Sequence, residues 1–182
     1  MKQLIFILAV TLFVTVTAQS QNYITKNGKI SFFSKTDIED IDAVNNQVVS
    51  VMNIGNGDLA FSVLINGFLF KKALMQEHFN ENYMESNKFP KAGFKGTITD
   101  IAKHNLTKDG AYIVTVTGDL TIHGVTKNIT TPGTITVKAG KVSANATFNA
   151  AVADYNISIP GVVKNNISKT IEIKVACDYD AR

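Results

Sequence analysis

The chain has 182 residues, with 18 basic and 15 acidic side chains and a formal net charge of +3, and hydrophobic residues make up 45% of it. This charge is too balanced to favour a nucleic-acid partner or an anionic membrane surface. Its only cysteine is Cys177, which excludes an intrachain disulfide. The length fits one domain with a core of its own.

The amino terminus has the three parts of a cleavable secretory signal peptide, which we predict over residues 1–18. Lys2 supplies the positive charge, about 13 mostly apolar residues follow over 4–16, and small residues precede a polar stretch that begins at Gln19. The apolar run is short for a membrane span, which takes roughly 20 residues. The alternative is a membrane anchor, and no cysteine follows the cleavage point as a lipoprotein would need. We therefore expect a domain over residues 19–182 that is periplasmic or secreted and has no stable membrane span.

Period-two alternation of apolar and polar residues dominates this domain and predicts about eight strands joined by short links. Val, Ile and Thr fill these stretches, as half-buried strands favour. Such a pattern is typical of an all-β sandwich or a closed antiparallel barrel. The predicted strands are residues 30–34, 47–54, 59–65, 92–101, 111–123, 126–138, 142–153 and 169–179.

Two segments depart from this period. Residues 72–84 carry Leu74, Phe79 and Tyr83 at helical spacing, which predicts one amphipathic helix between strands. A cluster of acidic residues within 36–44 suggests a second helical turn. In a closed barrel, an amphipathic helix of this kind can plug or line one mouth.

Residues that would carry catalysis or bind a metal are sparse. The three histidines, His78, His104 and His123, are far apart in sequence and do not form a close ligand pair. Neither a Gly-x-Ser-x-Gly elbow nor a glycine-rich phosphate loop is present. Cys177 shares its parity with the apolar residues of the last strand, which predicts a small buried side chain rather than a nucleophile, and we expect Asp119 to face solvent. We therefore expect no enzyme activity, no cofactor and no metal.

Two longer stretches carry a family signature. The first covers residues 74–90 and is followed by Phe94, and the second, residues 118–127, reads Gly-Asp-Leu-Thr-Ile-His-Gly-Val-Thr-Lys. Together with their order, spacing and the total length, they resemble the YceI-like family of exported proteins that bind lipids and polyisoprenoids. The resemblance covers essentially all of residues 19–182.

This resemblance implies an eight-stranded antiparallel lipocalin-like barrel whose apolar tunnel holds a long isoprenoid or similar lipid. The phenylalanines would then line the tunnel, although packing of the core is the plainer interpretation of any one of them. His123 would either bond the backbone of its own turn or, like His78, offer a polar contact at the tunnel mouth. The phenylalanines in question are Phe32, Phe61, Phe68, Phe70, Phe79, Phe89 and Phe94.

The sequence leaves the head-group contact, the function and the oligomeric state open. Many family members carry Asn-Arg-x-x-Phe-Gly before the last strands, but residues 149–157 lack the Arg and the Phe-Gly here, so a head-group contact there does not carry over. The alternatives to a lipid carrier are an enzyme on a lipid-like substrate, with His123 or His78 as acid or base, and a structural barrel packed solid. A homodimer is also compatible with the sequence.

Overall fold

The computed structural model describes residues 22–182, which form nine strands and one short helical segment. The helical segment is an α-helix, α1 (Ala73–His78), continued by a π-helical turn (Phe79–Tyr83). Short 3₁₀ turns lie at Ile65–Gly67, Ile101–Lys103, Val152–Tyr155 and Gly161–Val163. The strands are β1 (Asn22–Lys35), β2 (Asp40–Asn53), β3 (Asp58–Leu64), β4 (Leu69–Phe70), β5 (Lys91–Ile98), β6 (Gly110–Ile122), β7 (Val125–Lys138), β8 (Lys141–Ala151) and β9 (Thr170–Ala181).

Eight of these strands close into an antiparallel barrel. The order is β1-β9-β8-β7-β6-β5-β3-β2, and β2 pairs back with β1, so that the sheet has no free end around the barrel. The two-residue β4 adds to β2 at one end. Closure gives every barrel strand a paired neighbour on each side, which covers most of the strand edges. The expected eight-stranded lipocalin-like barrel with one helix between strands is therefore confirmed.

The strand registers place the connections at two distinct ends of the barrel. The helical end holds the β1–β2 turn, residues 65–90, the β6–β7 hairpin and residues 152–169. The terminal end holds the two ends of the described chain, together with shorter loops. All of the longer insertions thus lie at the helical end, which is where a barrel interior can be reached.

Strands β1 and β2 are much longer than predicted, because each contains an irregularity that breaks the alternation. Their register shifts between Thr25 and Ile30. The buried positions of β2 change accordingly from odd numbers, such as Asn45, to even numbers, such as Val48. A bulge of this kind reverses which face a side chain occupies. For this reason the period-two pattern did not predict the first halves of these two strands.

The helical turn suggested within residues 36–44 is wrong. The chain makes a tight turn at 36–39, in which Thr36 Oγ1 accepts hydrogen bonds from the Ile38 and Glu39 amides at 3.3 and 3.0 Å. Residues 40–44 then belong to β2, where Ala43 lies opposite Phe32 of β1. Pairing with β1 satisfies this backbone better than an isolated turn of helix could, since short helices are marginal on their own.

The predicted helix over 72–84 is present with a different internal geometry. Lys72 is the N-cap of α1, and the amide of Met84 donates to the carbonyl of Phe79 at 2.9 Å, which is the spacing of a π-turn. Its apolar side faces the barrel, as the helical spacing indicates. The predicted signal peptide, residues 1–18, lies outside the described residues. Within residues 22–182 no helix combines the length and the apolar character that crossing a bilayer requires.

Candidate ligand-binding cavity

The barrel encloses a cavity of about 530 Å³, within the range of 300–1,000 Å³ that is usual for small-molecule sites. Its floor, towards the terminal end, consists of fully buried side chains that include Met52, Ile98 and Ile135. At the helical end, Leu74 and His78 line the cavity and are also exposed to solvent, so the cavity reaches the surface there. Its walls are mainly Ile, Val, Leu, Ala and Phe. A cavity of this kind counts against a barrel that is packed solid.

Six of the seven phenylalanines singled out from the sequence line this cavity. Four of them form one aromatic cluster, in which the Phe79 ring lies 5.3 Å from Phe32, 5.6 Å from Phe68 and 5.0 Å from Phe70. The cluster joins the helical segment to β1 and β4, and it therefore both packs the core and forms the cavity wall. The six are Phe32, Phe61, Phe68, Phe70, Phe79 and Phe94.

The seventh, Phe89, and the histidine His123 occupy a different place and are not among the described residues that line the cavity. Their rings meet edge to face, with centroids 4.6 Å apart. His123 has a positive φ of 51° at the β6–β7 turn. Its Nδ1 lies 3.1 Å from the carbonyl oxygen of Tyr155, and its Nε2 lies 2.8 Å from Oε2 of Glu85. Both hydrogen bonds go to other segments of the chain rather than to the backbone of its own turn.

His78 lies on the exposed part of the cavity entrance, on α1. It therefore lies at the cavity entrance, whereas His123 does not line the cavity. The two histidines do not share a site. His104, the third, lies in the loop before β6 and packs against the ring of Tyr112 of that strand, with ring centroids 5.8 Å apart.

A polar cluster at the mouth was not predicted from the sequence. Lys72 Nζ donates to Oε1 of Glu39 at 3.1 Å, and Asn166 Nδ2 donates to Oε2 of the same carboxylate at 3.5 Å. The hydrogen bond from Lys72 holds the pKa of the Glu39 carboxyl below its usual value. Glu39 thereby links the β1–β2 turn, the start of α1 and the loop before β9. The only sequence signal for it was the acidic cluster that suggested a helical turn.

The segment that lacks the family arginine forms part of the cavity wall. After β8 the chain enters the 3₁₀ turn Val152–Tyr155, which packs against β7, and Tyr155 is buried. The side chains of Val152, Tyr155 and Ile157 all line the cavity. Burial raises the pKa of the Tyr155 hydroxyl, which keeps it neutral. Apolar or neutral groups therefore face the interior along this segment.

The same turn closes a gap in the barrel wall. Strands β7 and β8 pair only from Gly133 and Ala146 to the hairpin at Lys138 and Lys141, so they diverge towards the helical end. Gly133 and Ala146, the last pair of this ladder before the strands diverge, both line the cavity. The 3₁₀ turn occupies the space where a regular ladder would continue, so the wall there consists of side chains rather than of paired strands.

Cys177 has the buried position that its parity predicts. It is 3% exposed and packs against the backbone at Gly28. Burial raises the pKa of its thiol to about 11, so the thiolate that a nucleophile requires is suppressed near neutral pH. Asp119 is exposed, as predicted, and accepts a hydrogen bond from Asn128 Nδ2 at 2.9 Å.

The fold is similar to those of several solved structures. One is a polyisoprenoid-binding domain from Saccharophagus degradans implicated in plant cell wall breakdown, 15% identical, with a TM-score of 0.78 over 90% of this chain and 100% of that one. Another is BcnA of Burkholderia cenocepacia, 15% identical, with a TM-score of 0.70 over 85% of this chain and 96% of that one. A third is a YceI protein of Campylobacter jejuni, 13% identical, with a TM-score of 0.55 over the whole of both chains.

A comparison with curated protein sequences found no significant match. The model of the YceI-like domain family matches residues 10–179, and this range contains the helical segment, the β6–β7 hairpin and all eight strands of the barrel except the last two residues of β9. The chain therefore belongs to the YceI-like family.

Proposed function

We propose that this protein is an exported, non-enzymatic carrier that holds a long apolar lipid, of the polyisoprenoid or isoprenoid-quinone type, inside its barrel. The observation that carries the proposal is the apolar cavity of about 530 Å³ with its entrance at the helical end. Each methylene that leaves water contributes roughly 0.8 kcal/mol, so a long chain gains affinity without specific polar contacts. Membership of the YceI-like family and the polyisoprenoid-binding domain among its structural neighbours support the same ligand class.

The lining residues favour a binding role over catalysis. The aromatic cluster around Phe79 supplies a large apolar surface, and His78, Glu39 and Lys72 offer polar contacts only at the mouth. A ligand would therefore place its chain among the phenylalanines and its polar end near these three side chains. His123 serves in this proposal as a structural residue, since both of its ring nitrogens are engaged by other segments.

A variant with a filled cavity tests the proposal directly. Ala146 of β8 lines the cavity, whereas Ala176 on the adjacent β9 is exposed and does not. The protein is purified from its own cells, extracted with organic solvent and analysed by mass spectrometry for bound lipid. We expect lipid in the wild type and in Ala176→Trp, and its loss in Ala146→Trp. Consistent absence of lipid from the wild type, with no uptake of an added polyprenyl alcohol, would contradict the proposal.

Export is tested separately. We expect the accumulated protein to lack residues 1–18 and to begin near Gln19, because the small residues before it fit a signal peptidase. Amino-terminal sequencing together with cell fractionation measures both the cleavage point and the compartment. An intact amino terminus on a cytoplasmic protein would contradict export and leave the lipid-binding proposal to be judged by the cavity variants.

A further inference from the structure

The entrance of the cavity is surrounded by exposed apolar side chains from three separate segments. Ile38 of the β1–β2 turn is 63% exposed, Leu74 of α1 is 60% exposed, and Val162 of the loop before β9 is 94% exposed. We call these three residues the apolar rim. Singly exposed apolar side chains are ordinary on a protein surface, but three that lie around the opening of an apolar cavity point to an interaction surface.

The polar cluster around Glu39 brings the three rim segments together. Glu39 follows Ile38 directly, and its carboxylate contacts Lys72, two residues before Leu74, and Asn166, four residues after Val162. Leu74 itself also lines the cavity. Leu74 therefore belongs to both the apolar lining of the cavity and the apolar rim.

The form of the rim fits a lipid surface better than a flat protein surface. Val162 lies at a protruding tip, since a side chain added at the neighbouring Gly161 would meet nothing within 4 Å. Charged groups stand between the rim residues, but Lys72 is neutralised by Glu39 and Lys71 by Asp42, at 3.1 and 2.8 Å. Separate exposed apolar side chains can enter the boundary between head groups and acyl chains of an uncharged bilayer, where no strong electrostatic attraction is required.

We propose that the apolar rim of Ile38, Leu74 and Val162 docks the mouth of the barrel onto a bilayer surface, so that a lipid passes between membrane and cavity without crossing water. This inference rests on the proposed function, because it gives the cavity its route of loading. An apolar chain exposed to water loses the burial energy that holds it in either environment. Direct contact between mouth and bilayer avoids that barrier.

A pair of matched double variants tests the docking. Ile38→Ser with Val162→Ser removes two rim residues that do not line the cavity, and Val49→Ser with Ile113→Ser removes two residues of the barrel wall that are 40% and 74% exposed. Flotation with vesicles of phosphatidylcholine, using the protein as cells accumulate it, measures the partition. We expect the rim variant to bind at least roughly tenfold more weakly than the wild type and the wall variant to bind like the wild type.

Uptake of geranylgeraniol from detergent solution separates the two proposals. We expect both double variants to load like the wild type, since their cavities are unchanged. A wild type that loads from detergent but does not float with vesicles would overturn the docking. So would equal losses in both variants, binding that salt abolishes, or a rim whose removal only dissociates a dimer. A wild type that floats through its rim but never loads would instead overturn the lipid-carrier proposal.

Discussion

Nε2 of His123 lies 2.8 Å from Oε2 of Glu85, although 38 residues separate the two in sequence. The other ring nitrogen lies 3.1 Å from the carbonyl oxygen of Tyr155. One histidine ring on the β6–β7 hairpin thus fastens both the segment after the π-turn and the 3₁₀ turn between β7 and β8.

Replacing His123 by alanine should loosen the helical end. We expect His123→Ala to lower the free energy of unfolding by about 1–3 kcal/mol, because it removes two hydrogen bonds of a half-buried group and leaves the Tyr155 carbonyl without this donor. Urea denaturation measures the loss, and faster amide exchange over residues 84–90 locates it. Asn128→Ala, which removes an exposed hydrogen bond to Asp119 near the same hairpin, is the control and should cost less than about 0.5 kcal/mol. Equal losses would refute this role of His123.

Two glycines with the same backbone conformation allow the cost of backbone strain to be measured apart from the cost of a steric clash. Gly124 and Gly140 have φ values of +74° and +76°, but a Cβ at Gly124 would lie 2.5 Å from a ring carbon of Phe89, whereas a Cβ at Gly140 would meet nothing within 4 Å. Gly140→Ala should therefore destabilise by about 1 kcal/mol through backbone strain alone. Gly124→Ala should cost about 1–3 kcal/mol more, since the Phe89 ring has to move. Thermal or urea unfolding of both variants measures the difference between their losses of unfolding free energy. Equal losses would show that the Phe89 ring moves aside without cost.

The fully buried Asn45 should be essential to the irregular stretch of β2. Its Nδ2 donates to the carbonyl of Leu64 and its Oδ1 accepts from the amide of Gln47, both at 2.8 Å. Asn45→Ala should lower the free energy of unfolding by about 2 kcal/mol, because it removes two hydrogen bonds of a fully buried side chain and takes this partner from the Leu64 carbonyl and the Gln47 amide. Asn46→Ala, at the exposed neighbouring position, should change it by less than about 0.5 kcal/mol. If both variants unfold at the same urea concentration, Asn45 does not support the bulge.

The buried thiol should make the protein sensitive to alkali. Burial raises the pKa of Cys177 from 9.0 to about 11, so the folded protein keeps a proton that the unfolded chain has already released between these values. The contribution of the thiol to the free energy of unfolding is therefore fully present below about pH 9 and is lost as the pH rises to about 11. The loss should amount to about 2–3 kcal/mol. Urea unfolding at a series of alkaline pH values measures this slope.

Cys177→Ala provides the control for that experiment. The variant should lose this part of the slope and keep most of the part due to Tyr179, since burial is the main cause that raises the pKa of that phenol and Cys177 contributes less. The Tyr179 hydroxyl also shares a buried hydrogen bond of 2.7 Å with Ser50. An unchanged slope in Cys177→Ala would mean that the thiol does not titrate as its burial indicates.

Much of the barrel could be predicted because each strand carries its own pattern. Alternation located all eight barrel strands, and helical spacing located the segment around Phe79. The pattern failed in the first halves of β1 and β2, where the register shifts and the inward positions change parity. A bulge inserts a residue and leaves no local signature that alternation can detect. The acidic residues 37–42 were misinterpreted for a related reason, since pairing with β1 decides their conformation.

For the candidate site, too, some features could be predicted from the sequence and others could not. The sequence by itself determined that the phenylalanines are numerous near the helix and that Cys177 shares the parity of an apolar strand face, because composition and period are local properties. Only the tertiary structure decided which phenylalanines line the cavity, that Phe89 packs on His123 instead, and that Glu39 meets Lys72 and Asn166 at the mouth. These contacts join residues that are far apart in sequence, and they depend on barrel closure and register, which arise from the balance of all the strand pairings at once.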